Sequence, residues 1–219
     1  WTIDGKIATG ESIMQRAKDK SLKLLKAGCV FSEFGTRRRR SLQVQRNVMR
    51  GITQASELAT DSLKGKFLGT SNVLLAMEFN TNPIGTIGHE WMMGVGAIKF
   101  SKDKSFTAYT TANKLAVEQY VGLVGLPNAG LALTDTYGTD NFLDQFFEPY
   151  IGSYIGMRQD SGDPELYVRN VSKWYSEHGY SGDKAKMVCF SDSLNVDKCI
   201  RLKNVCEVEC GMKASFGIG

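Results

Sequence analysis

The stretch Tyr154-Ile155-Gly156-Met157-Arg158-Gln159-Asp160-Ser161-Gly162-Asp163 decides the fold. A short, mostly apolar run passes into a polar, glycine-bearing loop, and a helical pattern from Glu165 to His178 follows. Strand, polar loop, helix is the unit of a parallel β/α fold, whose strands are buried on both faces and read as brief apolar runs. The same punctuation recurs. Cys29-Val30-Phe31 precedes Ser32 to Thr36, Phe67-Leu68 precedes Gly69 to Asn72, and Ile84-Gly85-Thr86-Ile87 precedes Gly88-His89-Glu90-Trp91. Leu131-Ala132-Leu133 precedes Thr134 to Asp140, and Met187 to Phe190 precedes Ser191 to Asn195. Ala214 to Gly219 reads as a strand running into a glycine turn. Helices are expected over Glu11 to Ala27 with Gly28 as C-cap, Arg38 to Ala59, Val73 to Met77 and Lys114 to Leu123. Seven candidate strands make the class α/β and favour an irregular parallel barrel short of one or two units. The alternative is an open doubly wound sheet. In both, the polar loops lie at the strands' C-terminal ends, where such folds build their sites.

Composition narrows the function classes. The chain has 219 residues, 42% of them hydrophobic, with only four Pro, which excludes disorder, collagen and low complexity. No run of about 18 apolar residues exists, so no membrane partner is expected. Lys and Arg total 27 against 23 Asp and Glu, a formal charge of +4. That mild excess suits phosphorylated substrates without demanding nucleic acid. The five cysteines (Cys29, Cys189, Cys199, Cys206 and Cys210) are odd in number and form no C-x-x-C pair. A disulfide framework or zinc site is not expected, and a reducing compartment, the cytoplasm or also the nucleus, fits better. Both ends read as cut, so the chain is expected to be an internal fragment of a longer protein.

The loops lack the phosphate loop G-x-x-x-x-G-K-[ST], the G-x-S-x-G elbow and H-E-x-x-H. What they offer is Asp, Ser, Thr, Gly, Arg and one His. Gly turns and helix starts hold phosphate through backbone N–H groups, Arg binds anions in a fork, and Asp binds hydroxyls or Mg²⁺. The run Arg37-Arg38-Arg39-Arg40 follows a strand and a Gly-Thr turn. Placed at a helix start it opposes the macrodipole, a conflict that an anionic ligand beside Arg37 would relieve. The bland alternative is a solvated or nucleic-acid-binding patch. His89 sits in a Gly-His-Glu loop after an apolar run and is a candidate for catalysis, whereas His178 ends a polar helix and is expected to be exposed. Asp135 and Asp140 share one loop and Asp160 and Asp163 the next, where helix capping and ligand binding compete for the same turn. Ser191-Asp192-Ser193 and Phe216-Gly217-Ile218-Gly219 could cap or bind phosphate. Cys206 and Cys210, at i and i+4, read as a core or surface pair.

Together these strings resemble the nicotinate phosphoribosyltransferase family, and a fungal or related eukaryotic type fits best. The match is carried by Phe31 to Arg40, Leu68 to Asn72, Pro83 to Trp91, Leu131 to Asp140, Ile155 to Asp163, Ser191 to Asn195 and Phe216 to Gly219. It weakens from about Phe100 to Asn128, and Gly88 stands where an Ala is familiar. The resemblance implies a type II phosphoribosyltransferase fold, with residues 1–219 a partial catalytic barrel domain lacking the terminal domain and the last barrel units. It implies that nicotinate and phosphoribosyl pyrophosphate give nicotinate mononucleotide and pyrophosphate in NAD salvage. ATP hydrolysis would be coupled through a phosphohistidine, with Mg²⁺ as cofactor and a homodimer at full length. His89 matches the phosphorylated histidine, Asp135 the acid that orients it, and Asp160 a further catalytic carboxylate. Arg37, Ser71, Asn72, Arg158 and Asp163 match substrate positions, and Asp160 and Asp163 would also hold the metal. Ser191, Asp192, Gly217 and Gly219 would bind the 5-phosphate. Ser71 stands where the related nicotinamide enzyme has an Asp, and a neutral residue there favours a carboxylate-bearing base. Rival readings are the nicotinamide or quinolinate enzyme on the same fold, an inactive fragment of the family, and a basic nucleic-acid-binding module.

Overall fold

A computed structural model describes residues 2, 3, 6–58 and 63–219. The chain divides into two compact units. One comprises the residues up to Gly85 with Phe190–Cys210 and Ala214–Gly219, and the other Thr86–Cys189 with Gly211–Lys213.

The first unit begins with a short antiparallel pair, β1 (Thr2–Ile3) and β2 (Lys6–Ile7). Helix α1 (Gly10–Lys26) starts at a capping box, in which the Thr9 hydroxyl accepts from the Ser12 N–H and the Ser12 hydroxyl accepts from the Thr9 N–H. It ends in a Schellman turn. Gly28 takes φ 76°, its N–H donates to the Leu25 carbonyl, and the Cys29 N–H donates to that of Leu24. This is the terminating role that the sequence assigns to Gly28. The chain continues through β3 (Val30–Glu33), α2 (Leu42–Glu57), β4 (Lys66–Thr70) and α3 (Val73–Glu78). Helices α1 and α2 pack together and bury Leu24, Leu25, Met49, Ile52 and Ala55. Each large apolar side chain so buried contributes about 1.5–3 kcal/mol.

The second unit holds α4 (His89–Lys102), α5 (Thr107–Thr110), α6 (Ala112–Val124), β5 (Leu131–Leu133), α7 (Thr139–Leu143), α8 (Tyr150–Ser153), β6 (Gly156–Gln159) and α9 (Pro164–Glu177). Strands β5 and β6 pair in parallel, Leu131 opposite Gly156 and Leu133 opposite Arg158. β7 (Met187–Phe190) follows, and a side chain at Gly156 would overlap the Met187 carbonyl. Returning to the first unit, α10 (Val196–Asn204) leads to β8 (Lys213–Ile218). β3 lies between β4 and β8, parallel to both, with Phe31 opposite Phe67 on one side and Phe216 on the other. The first and last strands of the β/α run, β3 and β8, are therefore neighbours.

The α/β class and the parallel pairing are as the sequence predicts, and two local expectations are corrected. Ile84 to Ile87 is not a strand. Its surroundings make one isolated bridge, Thr70 to Pro83, and the Ile84 N–H donates to the Thr70 carbonyl. Pro83 has no N–H to offer a ladder, and Gly85 and Gly88 weaken any strand between them. Nor does one helix run from Arg38. A 3₁₀ turn spans Gly35–Arg38, Arg39 is extended, and Ser41 caps α2 by accepting from the Val44 N–H. The four arginines therefore precede the helix, so the clash with its dipole does not arise as expected. Ala59, the expected helix end, lies outside the described residues.

Candidate active site

In the second unit the loops after β5 and β6 meet the first turn of α4. His89 is the first residue of that helix, whose N-cap Gly88 supplies no side-chain cap. No side chain therefore caps the opening N–H groups, although that of Trp91 donates to the Gly88 carbonyl at 3.2 Å. Trp91 anchors the turn through an indole N–H bond to the Ala116 carbonyl at 3.0 Å. His89 Nε2 lies 3.0 Å from Asp135 Oδ1 and 3.7 Å from Asp160 Oδ2. Asp135 Oδ2 accepts from the Ser161 hydroxyl at 2.6 Å. Asp160 Oδ1 accepts from the Arg158 guanidinium at 2.6 Å, and the same guanidinium donates to Thr86 Oγ1 at 2.9 Å. The His89 side chain is 32% exposed and those of Asp135 and Arg158 only 15% and 16%. The ring is reachable, while the groups that hold it are shielded.

Two further contacts fix this geometry. Tyr137, two residues past Asp135, donates to the Met92 carbonyl of α4 at 3.3 Å and fills the space over Gly96. The buried Tyr167 hydroxyl reaches Thr134 Oγ1 at 3.0 Å and the Arg158 carbonyl at 3.4 Å, tying the two loops at their strand ends. Burial pushes the Tyr167 phenol well above its usual range, which favours the neutral hydroxyl that makes these bonds. Chemically, Nε2 of His89 is paired with carboxylate, an arrangement that suits the opposite nitrogen, Nδ1, to act as a nucleophile.

The structure thus gathers His89, Asp135, Asp160 and Arg158. Asp163 is the N-cap of α9, with Oδ1 accepting from the Glu165 and Leu166 N–H groups at 2.8 and 3.1 Å. Asp140 falls in α7, whose N-cap is Gly138. His178 is exposed, stacked on Trp174. No group of three His, Cys, Asp or Glu side chains among the described residues is arranged to hold a metal. None of the five cysteines is in a disulfide, and Cys206 is buried.

The other predicted residues belong to the first unit. Arg37 lies exposed in the 3₁₀ turn after β3, and Ser71 lies exposed after β4. Asn72 caps α3 through Oδ1, which accepts from the Leu75 N–H, and its Nδ2 donates to Thr36 Oγ1 at 3.3 Å. Ser191 and Asp192 are half-buried after β7, but the cap of α10 is Asn195 and not this pair. Gly217 is buried, and a side chain there would come 2.5 Å from the Phe34 ring. Its observed role is to let Phe34 lie against β8. Gly219 is less tightly placed, since a side chain there would come 3.2 Å from the Phe34 carbonyl oxygen.

The family profile of nicotinate phosphoribosyltransferase (NAPRTase) matches residues 29–219. The chain belongs to the nicotinate phosphoribosyltransferase family. It is 46% identical over 209 residues to nicotinate phosphoribosyltransferase of Saccharomyces cerevisiae, covering 95% of this chain and 47% of that protein. A solved structure from Saccharomyces cerevisiae matches with a TM-score of 0.87 at 45% identity, over 96% of this chain and 49% of that one. That of nicotinate phosphoribosyltransferase from Porphyromonas gingivalis matches with a TM-score of 0.82 at 31% identity, over 98% and 50%. The chain spans about half the length of the curated relatives it matches. Within this nicotinate phosphoribosyltransferase family chain, sequence reasoning missed Ser161, Thr86, Tyr137 and Tyr167 as supports of the site. Ser161 was legible only as a possible cap. The rest carried no local signal, because their partners lie 26 or more residues away, apart from Tyr167, which is nine from Arg158.

Proposed function

We propose that this chain carries the catalytic residues of an ATP-coupled nicotinate phosphoribosyltransferase acting in NAD salvage. The observation that supports it most is His89 held between Asp135 and Asp160, with Arg158 beside Asp160, at the start of α4. In this reading Nδ1 of His89 attacks the γ-phosphorus of ATP. An N–P bond forms, the bridging P–O bond breaks, and ADP leaves. Asp135 holds the opposite nitrogen, fixing the tautomer and supporting the cationic ring. The helix start and Arg158 offer donors to phosphate oxygens.

Transfer then joins the ring nitrogen of nicotinate to the anomeric carbon of phosphoribosyl pyrophosphate while the bond to pyrophosphate breaks, and water afterwards cleaves the N–P bond, releasing phosphate and restoring His89. Asp160 supports the positive charge that develops on the ribose. Asp160 and Asp163 supply oxygen donors of the kind Mg²⁺ takes alongside substrate phosphates, and the ion would neutralise charge on the leaving pyrophosphate. Arg37 would pair with the carboxylate of nicotinate and Asn72 with its ring surroundings. Ser71 leaves that carboxylate unopposed by a like charge. Ser191, Asp192, Gly217 and Gly219 would serve the 5-phosphate, the last two through backbone N–H groups. The full-length protein is proposed to be a cytoplasmic homodimer.

The deciding experiment incubates the full-length protein with nicotinate, phosphoribosyl pyrophosphate, Mg²⁺ and ATP, with nicotinamide as a parallel substrate. Nicotinate mononucleotide from nicotinate alone is the expected result. Product from nicotinamide alone would keep the family and overturn the specificity, and no product from either would overturn the activity.

A further inference from the structure

Glu33, the last residue of β3, is a carboxylate at only 5% exposure that the proposed chemistry does not use. It forms no ion pair among the described residues, yet donors surround it. Oε1 accepts from the Gly35 N–H at 2.7 Å and from Gln45 Nε2 at 3.0 Å. Oε2 accepts from Gln45 Nε2 at 3.0 Å and from the Thr70 hydroxyl at 2.5 Å. A carboxylate buried without a cation is strongly unfavourable unless its lone pairs are filled, and here both oxygens are.

The donors come from three separate pieces of chain. Gly35 opens the turn that carries Arg37. A side chain at Gly35 would come 2.6 Å from Oε1, so this approach needs glycine. Thr70 ends β4, and its hydroxyl, having donated to Glu33, accepts from the Asn72 N–H at 3.1 Å. The Glu33 carbonyl accepts from the Ser71 N–H at 2.9 Å. Gln45 belongs to α2. Its Nε2 also donates to Thr36 Oγ1 at 3.0 Å, and its Oε1 accepts from Arg39 at 2.9 Å and Asn72 Nδ2 at 3.4 Å. One carboxylate therefore ties the turn after β3 to the turn after β4. The exposed side chains on those turns include Arg37, with Arg38 to Arg40 after it, and Ser71, and Asn72 is half-buried.

We propose that Glu33 is a positioning residue, whose carboxylate locks the 35–40 and 70–72 turns in the one arrangement that presents Arg37, Ser71 and Asn72 to the base. The proposal rests on the nicotinate reading for the identity of that base, while the lock itself stands on the hydrogen bonds. Gln at position 33 keeps the shape but points an NH₂ at groups that are all donors. Asp keeps the charge and shortens the reach. Thr70→Val removes one donor without changing the acid.

The test uses the full-length protein and its E33Q, E33D and T70V variants. Contacts to the base made equally in ground and transition state appear in KM. E33Q is therefore expected to raise the KM for nicotinate at least about tenfold with kcat within about twofold. T70V and E33D should give smaller rises. Phosphate transfer from labelled ATP to His89 should stay at the wild-type level. Backbone amide exchange should quicken at 35–40 and 70–72 and nowhere else. An unchanged KM in both E33Q and T70V, or exchange unchanged in the two turns, would overturn the proposal. So would equal losses of nicotinate turnover and His89 phosphorylation across E33Q, E33D and T70V, since that pattern marks a merely structural acid. Wild-type protein that makes no nicotinate mononucleotide overturns the nicotinate reading instead, and the exchange pattern then decides the lock alone.

Discussion

At His89 both nearby acids face the same ring nitrogen, Nε2, with Asp135 the closer at 3.0 Å and Asp160 at 3.7 Å. An acid on one side of an imidazole makes the other side the nucleophile. His89→Ala is expected to abolish labelling by γ-labelled ATP while leaving weak, uncoupled transfer. Label retained at the wild-type level would show the wrong histidine had been chosen. Asp135→Asn should cut labelling about 10–100-fold, the usual effect of losing an orienting partner. In the proposed site, Ser71→Asp would place a carboxylate where nicotinate would bring its own, so kcat/KM for nicotinate should fall about tenfold or more, as one unfavourable like-charge contact implies. An unchanged kcat/KM would remove Ser71 from the specificity argument.

Elements meet through positions without side chains. α4 and the loop after β5 approach at Gly96, where an added Cβ would overlap the Tyr137 hydroxyl. Overpacking of this kind costs about 1–3 kcal/mol. Gly96→Ala should therefore lower the melting temperature and, by pushing the Tyr137 loop outward, draw Asp135 from His89. A variant with wild-type labelling of His89 and lowered stability would separate those two effects and cut Tyr137 out of the site. Asp163 presents the opposite case, a polar residue whose observed work is at a helix start. Asp163→Ala is expected to lose about 0.5–2 kcal/mol of stability in ligand-free protein, measured by denaturant unfolding. The sequence announced this cap with its Asp-Pro-Glu start, and it also announced the Gly28 turn. It did not announce the break at Arg39, because the arginines that follow the Gly-Thr turn are good helix formers and only Ser41 marks the true start.

At the scale of the molecule, the first unit is assembled from both ends of the chain, since β3 pairs with β8 and Phe31 stands opposite Phe216. Its thiols report on that assembly. Burial pushes the Cys29 thiol up to about 11 and that of Cys199 up to about 12, whereas Cys210 is half-exposed. At pH 8 the thiolate, which is the reactive form, is scarce at Cys29 and Cys199. Alkylation should mark Cys210 first and reach the other two only on unfolding. Early labelling of Cys29 would mean that the β3–β8 pairing opens readily.

The α/β class, the alternation of strand, loop and helix, and the residues of the His89 cluster were all legible in the sequence. Each rests on local patterning or on motif strings a few residues long. Short-range physics also fixed the caps at Gly28 and Asp163, because their partners lie within a turn. The absence of a strand at Ile84 to Ile87 was tertiary, since an apolar run becomes a strand only if a neighbour offers a ladder. The placing of a hydrogen-bonded acid at Glu33 was tertiary as well. Its donors come from residues 2, 12 and 37 positions away, and only the pairing of β3 with β4 and the packing of α2 bring them to one carboxylate.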